Sequence, residues 1–90
     1  MGARDPRVTF ECFIENVDAV LRARARRDYG LYVGPHVAFW QRGPISARVR
    51  EGTSRDVELD VPSRGVAPLR TSCDALGAQR VAEAIVASWP

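Results

Sequence analysis

The sequence predicts an α+β fold, a two-layer sandwich. One layer is a three- to four-stranded antiparallel sheet and the other consists of an N-terminal and a C-terminal helix, in the order α-β-β-β-(β)-α. Two observations predict it. Apolar residues recur at three- and four-residue steps near both ends of the chain, which is typical of amphipathic helices. Between them, apolar and charged residues alternate, as in strands with one buried face. At 90 residues, the chain is expected to form a single domain, residues 1–90.

Composition narrows the class of protein. Hydrophobic residues make up 46% of the chain, which is normal for a globular protein and argues against disorder. The net charge of +2, with acids and bases interspersed, does not by itself indicate nucleic-acid binding. No segment resembles a signal peptide or reaches the apolar length of a membrane span. We therefore expect a cytoplasmic protein that does not associate with membranes.

The first helix is predicted to begin at Asp5-Pro6, an N-cap followed by proline at the first helical position. Gly30 would end it. Its apolar stripe consists of Phe10, Phe13, Ile14, Val17, Val20 and Leu21. The alternating residues of 8–14 leave a second interpretation open, in which they form a strand and the helix starts only at Asn16.

Residues 45–61 are predicted to form a β-hairpin that turns at Gly52-Thr53-Ser54. That turn brings apolar residues together on one face and opposite charges together on the other. The predicted apolar pairs are Val49–Val57, Ala47–Leu59 and Ile45–Val61, and the charged pairs are Arg50–Asp56, Arg48–Glu58 and Glu51–Arg55. The two faces of a sheet are thereby distinguished.

A further strand precedes this hairpin, within the run HVAFWQ, and is joined to it through Arg42-Gly43-Pro44. Pairing across a turn of those three residues sets Phe39 beside Ala47. Trp40 and His36 then fall on the outer, charged face of the sheet. Residues 66–71 are expected to add a fourth strand, which Pro68 would confine to an edge.

The second helix is predicted to follow Thr71-Ser72-Cys73-Asp74, which resembles a capping box with aspartate in place of glutamate. Its apolar stripe consists of Ala78, Val81, Ala82, Ile85 and Trp89. Both helices therefore have an apolar stripe that must be buried, and the apolar face of the sheet is the surface available to bury it.

No pattern in the chain indicates an enzyme, a cofactor or a metal. Cys12 and Cys73 are expected to be reduced and buried, although a disulfide between them stays an alternative. They do not form a zinc-ligand spacing with His36, the only histidine. A catalytic Cys–His pair would require His36 to lie near a cysteine in space, which the spacing does not indicate.

The outer sheet face is the predicted site of partner binding, because tryptophan and arginine are enriched at interface hot spots. Its candidate residues are Trp40, Arg48, Arg50, His36 and Glu58. We expect a non-catalytic protein-binding module of the adaptor, chaperone or toxin- or effector-neutralising type. The competing interpretation is that a helix covers Trp40. An exposed edge strand could also mediate a homodimer.

The alternative function is nucleic-acid binding through the basic end of the first helix, Arg22, Arg24, Arg26 and Arg27. Arginine is also common at helix ends, and Asp18 with Arg22 forms an ordinary i,i+4 pair. The order of elements resembles that of the double-stranded RNA-binding domain, whose second helix opens with a basic cluster. Residues 73–80 hold one arginine and one acid there, so we do not assign the chain to that family.

Overall fold

The computed structural model describes residues 6–24, 28–62 and 67–89, and it confirms the α+β fold with one strand more than predicted. A single antiparallel sheet holds the five strands in sequence order. The elements are α1 (Pro6–Ala23), β1 (Gly30–Val33), β2 (Val37–Arg42), β3 (Ile45–Glu51), β4 (Asp56–Asp60), β5 (Leu69–Ser72) and α2 (Ala75–Ser88).

The first helix is continuous through residues 8–14, so the strand interpretation of that segment is wrong. The predicted N-cap, Asp5, lies outside the described residues. Gly30 does not end the helix: α1 ends at Ala23, and Gly30 is the first residue of β1. β1 was not predicted, because this strand is short and shows no alternation of apolar and polar residues.

The predicted hairpin is β3–β4, and its two faces are as expected, but its register differs by two residues. Val49 pairs with Leu59, Arg48 with Asp60 and Arg50 with Glu58. The chain reverses at residues 53–55, one residue later than predicted, and the residue in the left-handed region is Arg55, at φ 54°. A shift of two residues keeps every side chain on its own face.

Gly52 lies just before the turn, close to Asp56. A Cβ at this position would collide with the carboxylate of Asp56, while the Gly52 N–H donates to the Asp56 carbonyl at 2.8 Å. Gly52 therefore closes the end of the ladder, and the turn follows it.

The predicted β2–β3 register is wrong by one residue, and this error has a larger consequence than the two-residue error in β3–β4. Arg42 pairs with Ile45 across a two-residue turn, so Trp40 lies opposite Ala47. Gly43 has φ 60°, the positive value that a type II′ turn needs at its first central residue. Because a one-residue shift exchanges the faces of a strand, Trp40 lies inside and Phe39 outside.

Both helices lie on one face of the sheet and enclose one core. The apolar stripes of α1 and α2 pack there against the inward residues of the central strands. The core residues are Phe10, Phe13, Ile14, Val17, Leu21, Ala38, Trp40, Ile45, Ala47, Val49, Val57, Leu59, Val61, Ala78, Val81, Ala82, Ile85 and Trp89. In the described part of the chain, neither helix covers the opposite face.

The second helix begins at Asp74 rather than at a capping box formed by the preceding residues. Thr71 and Ser72 end β5, and the Asp74 carboxylate accepts a hydrogen bond from the Gly77 N–H at 2.8 Å. That bond holds the pKa of Asp74 below its usual value. The predicted apolar stripe of α2 is confirmed, since all of its members are buried.

Candidate protein-binding face

The sheet face that the helices leave uncovered is called the open face below. Its side chains form cross-strand rows that follow from the registers. One row contains Tyr32, Phe39, Arg48 and Asp60, the next contains Val37, Arg50, Glu58 and Arg70, and Asp56 lies beyond them on β4. The β1–β2 side is apolar, and the β3–β5 side is charged.

The apolar side consists of Tyr32, Val37 and Phe39, which we call the apolar corner. The rings of Tyr32 and Phe39 are tilted with their centroids 6.0 Å apart. A Cβ placed at Gly34 would lie 3.8 Å from the Tyr32 ring and 3.7 Å from a Val37 methyl group, so both side chains flank this glycine. Tyr32 is 64% exposed, which makes it the most accessible large apolar residue described.

The charged side is a set of cross-strand ion pairs. Arg48 Nη2 lies 3.0 Å from Asp60 Oδ2, and Arg50 Nη2 lies 2.7 Å from Glu58 Oε1. Arg70 lies 3.6 Å from a Glu58 carboxylate oxygen. The hydrogen bond from Arg50 is the main reason that the pKa of Glu58 is below its usual value.

The two signs of charge do not reach equally far into solvent. The arginine side chains Arg48, Arg50 and Arg70 are 38%, 57% and 71% exposed, whereas their partners Asp56, Glu58 and Asp60 are 24%, 25% and 25% exposed. Each arginine side chain is therefore more exposed than the carboxylate it pairs with, although the Nε atom of Arg48 is buried. Although the face is nearly neutral in total, a docked partner would contact mainly positive groups.

A shallow depression of about 160 Å³ lies at the end of β3 and β4. Its lining residues are Arg50, Glu51, Gly52, Asp56, Val57, Glu58 and Arg70. Three acids and two arginines make this a poor site for a small anion, because the arginines are already paired. Within the described chain, no group of histidine, cysteine and acidic residues could hold a metal ion.

The structure places three of the predicted partner-binding residues on the open face: Arg48, Arg50 and Glu58. It removes Trp40, which is fully buried against the helices. Phe39 occupies the outward position that we predicted for Trp40. If the two-residue turn at Gly43-Pro44 had been recognised from the sequence, Phe39 rather than Trp40 would have been predicted on the outer face.

The predicted position of His36, on the outer face of the sheet, is also wrong. His36 lies in the turn before β2, and its Nδ1 is 2.8 Å from Glu51 Oε1. Its carbonyl accepts a hydrogen bond from the Glu51 N–H, which sets it opposite Glu51. Glu51 pairs with Val57, a buried core residue, so His36 belongs to the end of the sheet rather than to the open face.

Trp40 is held inside by polar as well as apolar contacts. Its indole Nε1 lies 3.5 Å from Oδ1 of Asp18, a carboxylate that is itself buried. The hydroxyl of Tyr29 donates to the same oxygen, and Arg22 Nε lies 3.0 Å from Oδ2. Burial, followed by the bond to Asp18, raises the pKa of Tyr29 to about 12.

The basic end of α1 is less available than its sequence suggested. Arg22 forms the predicted pair with Asp18, and Arg24 lies 3.1 Å from Glu83 on α2. Arg26 and Arg27 lie outside the described residues. The two described arginines therefore link the helices and cap the buried carboxylate.

Both cysteines are free, so the alternative disulfide is not formed. The prediction that both are buried is wrong for Cys12, which is exposed on α1, while Cys73 is half-buried. Burial, together with the charge of Glu51, raises the pKa of Cys73. This shift favours the protonated thiol, the opposite of what a cysteine nucleophile requires.

Neither helix of the described chain is long and apolar enough to cross a membrane. The fold and site thus define a small α+β sandwich with one open sheet face. Comparison with protein-family models, with curated proteins and with solved structures finds no match to this chain. The open face must therefore be interpreted from its own chemistry.

Proposed function

We propose that this protein is a small, non-catalytic cytoplasmic protein-binding module whose contact surface is the open face. The adaptor, chaperone and toxin- or effector-neutralising types all remain within this proposal. The observation that carries it is the uncovered apolar corner, bordered by arginines that extend beyond their acidic partners. The cytoplasmic location stays a prediction.

The chemistry of the open face suits a macromolecule better than a small ligand. Small-molecule sites are concave and enclose most of their ligand, whereas the depression beside the turn ends of β3 and β4 is shallow and lined largely by paired charges. Aromatic residues and arginine are enriched at protein interfaces. Tyr32 and Phe39 would supply the apolar centre, with Arg48 and Arg50 beside it.

The expected partner surface follows from the layering of charge. Because the arginine side chains are the more exposed members of these ion pairs, a complementary surface would present an apolar group to Phe39 and carboxylates to Arg48 and Arg50. Glu58 would then hold Arg50 in position rather than contact the partner.

The test compares capture of a partner from the native host by the wild-type chain and by Phe39→Ala and Arg48→Ala. The matched control is Leu76→Ala, because Leu76 is 61% exposed but lies on α2, away from the open face. We expect both open-face variants to fold and to lose the protein that the wild type and the control retain. Retention of that protein by both open-face variants would contradict the proposal.

Nucleic-acid binding stays the second candidate, and one observation favours it at the open face rather than at α1. Two aromatic rings beside outward arginines resemble the stacking surfaces that hold single strands. Such binding would weaken steeply as salt rises, whereas binding to an apolar protein surface would depend on salt much less. A labelled single strand that fails to bind at low salt would remove this candidate.

A further inference from the structure

The edge strand β1 lacks the features that normally prevent edge-to-edge pairing. Its sequence is Gly-Leu-Tyr-Val, with no charge and no proline, and all four residues are exposed. The other edge, β5, contains Arg70, follows Pro68 and packs against α2. Proteins usually protect an edge by one of these means. Only the β1 edge is left open among the described strands.

The hydrogen bonds of the β1–β2 hairpin show which backbone groups face outward. The Gly34 N–H donates to the Val37 carbonyl at 2.8 Å, which marks these two residues as a hydrogen-bonded pair. Because such pairs alternate along an antiparallel ladder, Tyr32 and Gly30 also bond to β2. The N–H and C=O groups of Leu31 and Val33 therefore face away from the sheet.

We propose that a second copy of this chain pairs with β1 in antiparallel orientation, with Tyr32 on the two-fold axis. In this register, Leu31 of each copy lies opposite Val33 of the other. All four outward groups of each strand are then paired, through four intermolecular hydrogen bonds. The two five-stranded sheets would join into one sheet of ten strands.

The neighbouring registers satisfy fewer groups. Centring the axis on Leu31 moves Val33 beyond the partner strand, opposite Tyr29. Centring it on Val33 places Leu31 opposite Pro35, which has no N–H to donate. The Tyr32-centred register is therefore the one in which a strand of this sequence is fully complementary to itself.

The side chains agree with a second copy as the occupant. No charged residue lies on β1, so no like charges meet across the axis. Antiparallel pairing also brings the Asp28 end of each strand toward the His36 end of the other. Leu31 and Val33, which are exposed on the helix side, would cover one another, and the two Tyr32 side chains would become neighbours on the open face.

This inference is independent of the proposed function, because it concerns the edge of the sheet and not what binds to its face. If both hold, the two apolar corners would form one continuous surface across the axis. The interface is small, so we expect a weak dimer rather than an obligate one.

The first test is sedimentation of the full chain over about 10 µM to 1 mM, the range in which a weak interface associates. We expect the mass to double with concentration in the wild type and in Leu76→Ala. In Val33→Pro, which removes an outward donor without breaking a bond to β2, we expect a monomer. A wild-type monomer throughout, or association that Val33→Pro leaves unchanged, would overturn the proposal.

The second test reads the register directly and uses a Cys12→Ser background to remove the exposed thiol. In the proposed pair, the two Cα atoms at position 32 are about 4.5 Å apart, within reach of a disulfide. Tyr32→Cys should therefore cross-link on mild oxidation. Gly30→Cys should not, because its two copies would lie about 13 Å apart along the strands.

Equal cross-linking at both positions, or at neither in a chain with native circular dichroism, would contradict the Tyr32-centred pair. Because these variants keep the β1 backbone intact, they report on pairing even if Val33→Pro fails to fold.

Discussion

Phe39 and Trp40 are neighbours on one strand, yet they face different surroundings. Trp40 is fully buried in the core between the sheet and the helices, beside the buried carboxylate of Asp18. Phe39 lies on the open face, with Tyr32 on one side and Arg48 on the other. This difference teaches that, of two neighbouring aromatic residues, the larger one belongs to the core, while the smaller one lies on the face that we propose for partner binding.

The two faces also differ in what their interactions contribute to stability. Burial of apolar area on the helix face is the main favourable term in folding. Ion pairs on an exposed face contribute little to stability, because water screens them and ordering long side chains costs entropy. The ion pairs of the open face are therefore expected to add little to the stability of the fold.

The largest effect is expected for Trp40→Ala, which removes a fully buried ring from the core. Substitutions of this kind cost about 3–5 kcal/mol of unfolding free energy, which would leave a domain of this size marginal or unfolded. Urea denaturation followed by circular dichroism measures it. A loss below about 1 kcal/mol would show that Trp40 is not part of the core.

A smaller effect is expected for Tyr29→Phe, which removes the hydrogen bond to the buried Asp18. Hydrogen bonds to a charged acceptor contribute about 1.5–3 kcal/mol to stability. Because the pKa of Tyr29 is raised to about 12, its contribution is complete below the ordinary tyrosine pKa of 10.0 and is lost as pH rises toward 12.

The measurement is the urea midpoint of wild type and Tyr29→Phe at pH values from 9 to 12. The wild type should lose stability over the upper part of this range more steeply than the variant. Parallel curves for the two proteins would show that the Tyr29 hydroxyl is not held by Asp18.

The smallest effect on stability is expected for Glu58→Gln on the open face. The hydrogen bond from Arg50 holds the pKa of Glu58 below its usual value. The contribution of the Glu58 carboxylate to stability is therefore present at neutral pH and is lost as pH falls through that pKa. The exposed position means that the thermal midpoint at neutral pH should hardly change. A large drop in that midpoint would show that the open face does contribute to the fold.

Local patterns predicted both helices and the faces of β3 and β4. The stripe of α2 and the second half of that of α1 follow the helical period clearly, whereas residues 8–14 also fitted a strand. Along β3 and β4, apolar residues alternate with residues that are mostly charged. The registers could not be predicted equally well. Arg55, rather than a glycine, takes the left-handed position in one turn, and Pro44 belongs to a two-residue turn in the other.

The position of Trp40 shows how one turn limits what a sequence can say about a site. A single residue in the loop decided which of two aromatic neighbours reaches solvent, and no propensity distinguishes them. Arg48, Arg50 and Glu58 were placed correctly because the error in their hairpin was an even number of residues. Tyr32 was missed because its strand is too short for alternation to show.

The most direct test of the division between the two faces is one variant with two readings, Phe39→Ala measured for unfolding free energy and for retention of the captured partner. We expect a loss of stability of about 1 kcal/mol or less, since the ring lies on the surface of the sheet, together with loss of the partner. A Phe39→Ala protein that binds its partner as the wild type does, or that loses as much stability as Trp40→Ala, would contradict this account.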